Sequence, residues 1–267
     1  MLATLGYLTV DVGVRLLPAR LADSLGVAAA RLLFALRPPA RARLECNLGR
    51  LDPALAGSDR AALACQAFEH FALSLLDFMR LGRLDAVSID RAIEVRGAEH
   101  LERAAASGRG VIVLSAHLGN WEWGAAWLAS RGARIHVIAR PHPERGVEEM
   151  FARRRRARGV ATLAGRPVWP RAAGALRRHE WLALMGDRPT ARTSVCAWAA
   201  ALSRRTGAVV LPAVMLRLAP GRYAACFEPP LSPEACAGGG YRAVMRRYLE
   251  RYPAQWCAFE PLAEGLA

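Results

Sequence analysis

One stretch constrains the fold of this chain more than any other. The apolar run Val111 to Leu114 passes directly into Ser115-Ala116-His117-Leu118-Gly119-Asn120-Trp121-Glu122-Trp123. The run predicts a buried strand, Gly119 permits a sharp change of direction, and Asn120 is a good helix N-cap. The stretch therefore predicts a strand, a turn and a helix. In α/β proteins, functional side chains gather at the ends of such strands, where His117 falls.

The spacing of His117 and Glu122 narrows the chemistry. Two residues five apart on one α-helix point about 140° away from each other and cannot share a proton there. We therefore place His117 in the turn and Glu122 in the first helical turn, where the helix dipole favours a carboxylate that can lean back toward the imidazole. This arrangement predicts a general base, His117, whose tautomer and positive charge Glu122 supports. The alternative is a buried structural histidine beside an ordinary carboxylate.

Other candidate residues also fall at predicted strand ends. Arg140 closes the second predicted strand, and Asp187-Arg188 follow the fourth. Guanidinium groups at these positions can bind phosphate or carboxylate oxygens, so we predict a substrate-binding set of Asn120, Arg140, Asp187 and Arg188. The alternative for the arginines is surface ion pairing with Glu144, Glu148 or Glu149.

Strands and helices alternate after an all-helical first third, which ends near Leu84. The predicted strands are Val111–Ser115, Arg134–Ala139, Val160–Leu163, Trp181–Met185, Val209–Arg217 and Tyr223–Glu228. The predicted helices are Trp121–Arg131, Glu144–Arg158, Arg171–His179, Ser194–Thr206 and Tyr241–Tyr252. This order predicts an α/β fold in which a mixed, largely parallel central sheet is flanked by helices on both faces.

Composition limits the class of protein. With 267 residues, 53% of them hydrophobic, the chain can form one large domain. The net charge of +14 favours an anionic partner, although part of it can reflect a composition rich in alanine, arginine and leucine. We find no nucleic-acid-binding motif and expect no nucleic acid partner. The six cysteines lack Cys-x2-Cys spacing, so the sequence indicates no disulfide framework, metal or other cofactor.

The amino terminus suggests contact with a membrane surface. Residues Met1 to Val14 are mostly apolar but include Asp11, and they are too few for a spanning helix. Pro18 to Leu36 predict a second helix, with apolar residues at helical spacing: Leu21, Leu25, Ala28, Leu32 and Leu36. This stripe either packs on the core or lies in the membrane interface.

A run of four arginines, Arg153 to Arg156, falls in a predicted helix. Such runs are usually a solvated helix face. The functional alternative is contact with lipid headgroups or a carrier protein.

Taken together, Gly110 to Trp123, Arg140-Pro141 and Gly186-Asp187-Arg188 resemble the bacterial lipid A biosynthesis acyltransferase family, a branch of the lysophospholipid acyltransferases. Weaker similarity covers Asn47-Leu48 and the ranges 95–101, 206–212 and 252–256. The chain departs from the family by a shorter loop between Asp187 and Ser194.

The resemblance implies one domain with a glycerolipid acyltransferase-like fold: interface helices at 1–36, a helical part at 37–90 and the α/β core at 91–267. It implies an acyl group moved from an acyl carrier protein or acyl-CoA to a hydroxyl or amine of a lipid or carrier-bound acceptor. It also implies peripheral or monotopic placement at an anionic surface, the cytoplasmic face of the bacterial inner membrane. The alternatives are an acyl thioesterase and a non-catalytic basic membrane-binding relative.

Overall fold

The computed structural model describes residues 2–165, 167–188 and 194–260. The amino-terminal third is helical, as the sequence predicts. Its helices are α1 (Leu2–Leu16), α2 (Ala19–Leu36), α3 (Pro38–Leu51), α4 (Gly57–Leu81) and α5 (Ala86–Arg91). Pro18 lies just before α2, where its fixed φ suits the start of a helix and its missing N–H costs no hydrogen bond.

The described residues then form a seven-stranded sheet in the order β1-β7-β6-β2-β5-β3-β4. Its strands are β1 (Ile93–Arg96), β2 (Val111–Ser115), β3 (Ile135–Ile138), β4 (Val160–Leu163), β5 (Trp181–Met185), β6 (Val209–Ala219) and β7 (Arg222–Phe227). All neighbouring strands are parallel except β6 and β7, which form an antiparallel hairpin. The predicted mixed, largely parallel sheet is confirmed.

The six predicted strands match the structure to within two residues at each end. The prediction missed β1, an edge strand with largely exposed side chains and therefore without an apolar run.

Helices cover both faces of the sheet. They are α6 (Ala98–Ala106), α7 (Trp121–Ser130), α8 (Arg145–Ala157), α9 (Val168–Arg177), α10 (Val195–Thr206), α11 (Pro233–Ala237) and α12 (Gly240–Arg251). The sequence analysis missed α6 and α11. Side chains of β2 alternate between two separate clusters of buried residues, since Val113 packs on the α7 face and Leu114 on the opposite face. The sheet is thus the middle of three layers, and its carboxyl edge holds the site.

The apolar stripe of α2 faces outward. Leu21, Leu25, Leu32 and Leu36 are about half exposed or more, whereas Ala22 and Ala30 are buried. The core-packing interpretation of this stripe is therefore wrong. On α1, Leu5, Leu8, Val12 and Leu16 are exposed in the same way. None of the described helices is both long and apolar enough to cross a bilayer.

The shortened loop that the sequence analysis identified lies mostly at 189–193, outside the described residues.

Candidate active site

Strand register brings His117 and Asp187 together. The parallel pairing of β2 with β5 places Ser115 beside Met185, and the Gly186 N–H donates to the Ser115 carbonyl at 2.7 Å. His117 and Asp187 each come two residues after these partners, so their side chains meet at the carboxyl edge of the sheet. His117 was predicted as a base and Asp187 as a substrate ligand because the sequence alone does not show which strands are neighbours.

Asp187 holds the imidazole in one orientation. Its Oδ1 lies 2.8 Å from His117 Nδ1, and its Oδ2 accepts from the His117 backbone N–H at 3.0 Å and from Trp256 Nε1 at 3.1 Å. Burial alone would raise the pKa of Asp187, but the His117 charge and these hydrogen bonds outweigh burial and lower the pKa to about 2. An ionised Asp187 makes Nδ1 the protonated nitrogen, which leaves Nε2 with a lone pair. The prediction of Asp187 as a substrate ligand is therefore corrected, since its side chain binds His117.

Glu122 does not contact the imidazole as the sequence analysis expected. Arg155 of α8 binds both of its oxygens, with Nε to Oε2 at 2.9 Å and Nη2 to Oε1 at 2.5 Å. The expected lean toward His117 is wrong because a buried carboxylate needs a cation, and α8 supplies one across the helix interface. Arg154 is also turned inward, so the arginine run is not a uniformly solvated face.

The turn between β2 and α7 is held by backbone contacts. Gly119 has φ of 67°, and a Cβ there would lie 1.9 Å from the Met215 carbonyl oxygen. Asn120 caps α7 by accepting from the Trp123 N–H at 3.4 Å, and it donates to the Ser74 carbonyl at 3.1 Å. Its side chain is buried and satisfied within the protein, which corrects its assignment to substrate binding.

Two buried aromatic residues pack against the turn that carries His117. Tyr241 donates its hydroxyl hydrogen to the Ser115 carbonyl at 2.5 Å, and its ring contacts Gly186 so closely that a Cβ there would lie 2.5 Å from it. Trp256 belongs to a segment whose Cys257 N–H donates to the His117 carbonyl at 2.8 Å. The sequence analysis missed both supports. The only sequence signal for such support was an aromatic residue, Trp256, near the end of the chain.

Arg140 and Arg188 lie at the same edge of the sheet. Arg140 Nη1 is 3.3 Å from Glu260 Oε2, and Arg188 Nη1 is 3.5 Å from Glu260 Oε1. The two arginines thus share Glu260 as an ion-pair partner. The Arg188 Nε is buried, and the described residues offer it no hydrogen-bond partner. Both arginines line the cavity that begins at His117.

This cavity has a volume of about 1090 Å³ and is walled largely by apolar side chains. On the α7 face of the sheet, its lining includes Val113, Ala125, Leu128, Ala183, Ala213, Ala225 and Phe227. Small side chains on β5, β6 and β7 leave room beneath α7. Trp121, whose ring lies edge-on to His117 at 5.0 Å, forms part of the entrance. The geometry places a polarised histidine at the mouth of a hydrocarbon-lined pocket.

The fold is that of an α/β protein with a large, mostly apolar cavity at the carboxyl edge of its sheet. Residues 3–251 match the sequence pattern of a known family, and the chain belongs to the bacterial lipid A biosynthesis acyltransferases. It is an acyltransferase of lipid biosynthesis.

Individual relatives are similar over most of this chain. The phosphatidylinositol mannoside acyltransferase of Mycobacterium tuberculosis (strain ATCC 25618 / H37Rv) is 24% identical over 243 residues, covering 82% of this chain and 76% of the relative. The enzyme of the same name from Mycolicibacterium smegmatis is 31% identical over 195 residues, covering 68% of this chain and 60% of the relative.

Proposed function

We propose that this protein moves a fatty acyl group from an acyl carrier protein or acyl-CoA thioester to a hydroxyl or amine of a lipid or lipid-like acceptor, with His117 as general base. The observation that carries the proposal is the contact of His117 Nδ1 with buried Asp187, which leaves Nε2 as the basic nitrogen of a cavity-lining imidazole. The whole described chain, from the amino-terminal helices to the α/β core, acts as one catalytic unit.

The proposed reaction needs no covalent acyl-enzyme. His117 Nε2 takes the proton of the acceptor hydroxyl, whose oxygen attacks the thioester carbonyl carbon. The new C–O bond forms, the C–S bond breaks, and the leaving thiolate takes the proton from the imidazolium. Asp187 stabilises the imidazolium in between, because it is a buried anion in direct contact with Nδ1.

The apolar cavity is the proposed site of the acyl chain. Its lining on β5, β6 and β7 includes Ala183, Ala213 and Ala225, which leave space for methylene groups and offer them no polar competitor. A chain that extends along this face keeps its thioester at the mouth, next to His117. Phe227 and Leu128 are the bulkier lining residues on this face, and we expect them to limit chain length.

Arg140 and Arg188 are the proposed anion-binding residues. Their guanidinium groups face one carboxylate, Glu260, at distances of 3.3 and 3.5 Å, which are long for charge-assisted hydrogen bonds. A phosphate of the donor or acceptor can replace Glu260 and form shorter bonds with both. The relatives named above act on phosphatidylinositol mannoside, which supports a phosphate-bearing lipid as acceptor. Glu122 contributes to the reaction indirectly, because its ion pair with Arg155 holds the part of the cavity wall that Arg155 and α7 form.

The test of the mechanism is His117→Ala, which should lower kcat/KM by about 10²–10⁴ because a general base is lost. Transfer is followed with a labelled acyl carrier protein thioester and phosphatidylinositol mannoside. His179→Asn is the matched control: His179 is exposed at φ of 61°, a conformation that asparagine tolerates. Full activity of the alanine variant would contradict the proposal. Thioester loss in the parent that does not depend on acceptor would indicate a thioesterase.

We further propose that α1 and α2 lie on the cytoplasmic surface of the bacterial inner membrane. Their exposed leucines form an apolar surface, and the exposed residues Arg20 and Arg37 flank α2 at its two ends. Leucines of this kind can enter the acyl layer while arginines remain with anionic headgroups. The net charge of +14 favours the same surface.

Vesicle sedimentation tests the membrane proposal. Leu25→Gln with Leu32→Gln should reduce partitioning to anionic vesicles about tenfold or more, because two exposed apolar side chains are lost from the interface. The control is Val87→Gln with Leu218→Gln, which changes two exposed apolar residues away from α1 and α2. Equal loss in both double variants, or no binding by the parent, would contradict the proposal.

A further inference from the structure

Helix α1 has a polar connection on the side opposite its exposed leucines. Asp11 is buried, although its helix lies at the surface. Its Oδ2 accepts from Arg15 Nη2 at 2.8 Å, and its Oδ1 lies 2.5 Å from Arg154 Nη2 of α8. A buried carboxylate is costly without a cation, so the contact with Arg154 fixes where α1 meets α8.

Helix α8 joins this contact to the catalytic motif. Arg154 binds Asp11, and the next residue, Arg155, binds both oxygens of Glu122 on α7. Successive residues of a helix point about 100° apart, so one turn of α8 reaches both neighbouring helices. Two nearly buried ion pairs thus connect α1, through α8, to the first turn of α7, five residues after His117.

Further contacts between α1 and the α8 region reinforce the connection. Thr4 donates from its backbone N–H and its hydroxyl to Glu144 Oε2, at 2.9 and 2.7 Å. The Tyr7 ring packs edge-on against Phe151 at 5.6 Å, and Phe151 stacks on Phe78 at 5.1 Å. Phe151 and Arg155 both line the acyl cavity. Helix α8 therefore forms part of the cavity wall and also packs on α1.

We propose that Asp11 is a positioning residue that couples docking of α1 on a lipid surface to the order of α8, and so to Glu122 and the cavity wall. The inference rests on the proposed function of α1 as an interface helix. A lipid surface that binds the outer face of α1 stabilises its bound arrangement, and the Asp11–Arg154 pair transmits that stabilisation to α8. Acyl transfer is then fastest when the enzyme is on a membrane.

Hydrogen exchange on the full-length protein tests the coupling without relying on catalysis. Anionic vesicles should slow exchange in α8 of the parent by about fivefold or more, the lower end of typical coupling between sites. Asp11→Asn should remove most of this slowing in α8 while α1 stays protected on vesicles. Arg15→Gln is the control, because it removes the more exposed partner of the same carboxylate and leaves Arg154 in place.

Arg154→Gln provides a second route, since it alters α8 and leaves α1 unchanged. It should reproduce the effect of Asp11→Asn, and the double variant should lose nothing more, because both changes remove one interaction. Additive losses, equal slowing of α8 exchange in Asp11→Asn and parent, or no slowing in the parent would each overturn the inference.

Kinetics provide the functional readout. With a water-soluble short-chain thioester and acceptor, anionic vesicles should raise the kcat of the parent, and Asp11→Asn should remove this stimulation with little change in the vesicle-free rate. A parent that transfers no acyl group would refute the proposed function, and exchange in α8 would still decide the coupling. Full stimulation of Asp11→Asn by vesicles would overturn the proposed coupling.

Discussion

Two carboxylates near His117 are held in different ways. Asp187 follows a central strand and is almost fully buried, and its oxygens contact His117 and Trp256. Glu122 lies in the first turn of a helix and is bound by an arginine from the neighbouring helix. The residue close to His117 in sequence thus stabilises the helix layer, and the residue 70 positions away contacts the imidazole. Strand register therefore decides the partner of the histidine.

The largest effect that tests this comparison is expected from Asp187→Asn. Oδ2 accepts from both the His117 backbone and Trp256, so the asparagine carbonyl should occupy that position and its amide group should face Nδ1. Nδ1 would then have to accept, and Nε2 would carry the proton. We expect kcat/KM to fall about 10²–10⁴ with this loss of the base.

The tautomer can be measured directly in the same variant. Nitrogen NMR of labelled histidine should show Nδ1 protonated in the parent and Nε2 protonated in Asp187→Asn. An unchanged tautomer together with full activity would show that Asp187 does not hold the base.

A smaller loss of activity is expected from Glu122→Gln. The amide keeps one oxygen for Arg155 but loses the charge, which should destabilise the fold by about 1–3 kcal/mol. We expect kcat/KM to fall no more than about tenfold, or 1.4 kcal/mol, because Glu122 supports the cavity wall and does not contact the imidazole of His117. Arg155→Gln should have a similar effect, and the double variant should show less than the sum. Loss of activity equal to that of Asp187→Asn, with unchanged thermal stability, would contradict this division of roles.

The smallest effect is a pH dependence of stability. The pKa of Asp187 is lowered to about 2 in the folded state, so its contribution is complete above the unfolded value of about 3.9 and is lost as pH falls toward 2. The difference in melting temperature between the parent and Asp187→Asn should therefore shrink as pH falls from about 4 toward 2. A difference that stays unchanged from about pH 4 to 2 would show that the pKa of Asp187 is not lowered.

Local patterns in the sequence predicted most of the elements but not all of their contacts. Apolar runs predict central strands such as β2 and β5 because parallel strands in the middle of a sheet are buried on both faces. Edge strand β1 has no such run, and the pairing of β2 with β5 depends on how the chain crosses over. The role of Asp187 could not be predicted for that reason. The pairing of Glu122 with Arg155 was not predicted because the sequence of a helix does not show which of its residues face inward. That depends on where the neighbouring helices lie.

The contact between Gly119 and the Met215 carbonyl has a consequence for how this enzyme can evolve. Every amino acid reachable from glycine by one nucleotide change carries a Cβ, and each would meet that carbonyl. Residues that line the cavity proposed for the acyl chain have no such restriction, since Ala183 and Ala225 face open space. Substrate preference can therefore change by substitution of residues in the cavity wall while position 119 stays glycine. In a mutational library, we expect every substitution of Gly119 to abolish function and many substitutions of the cavity residues to be tolerated.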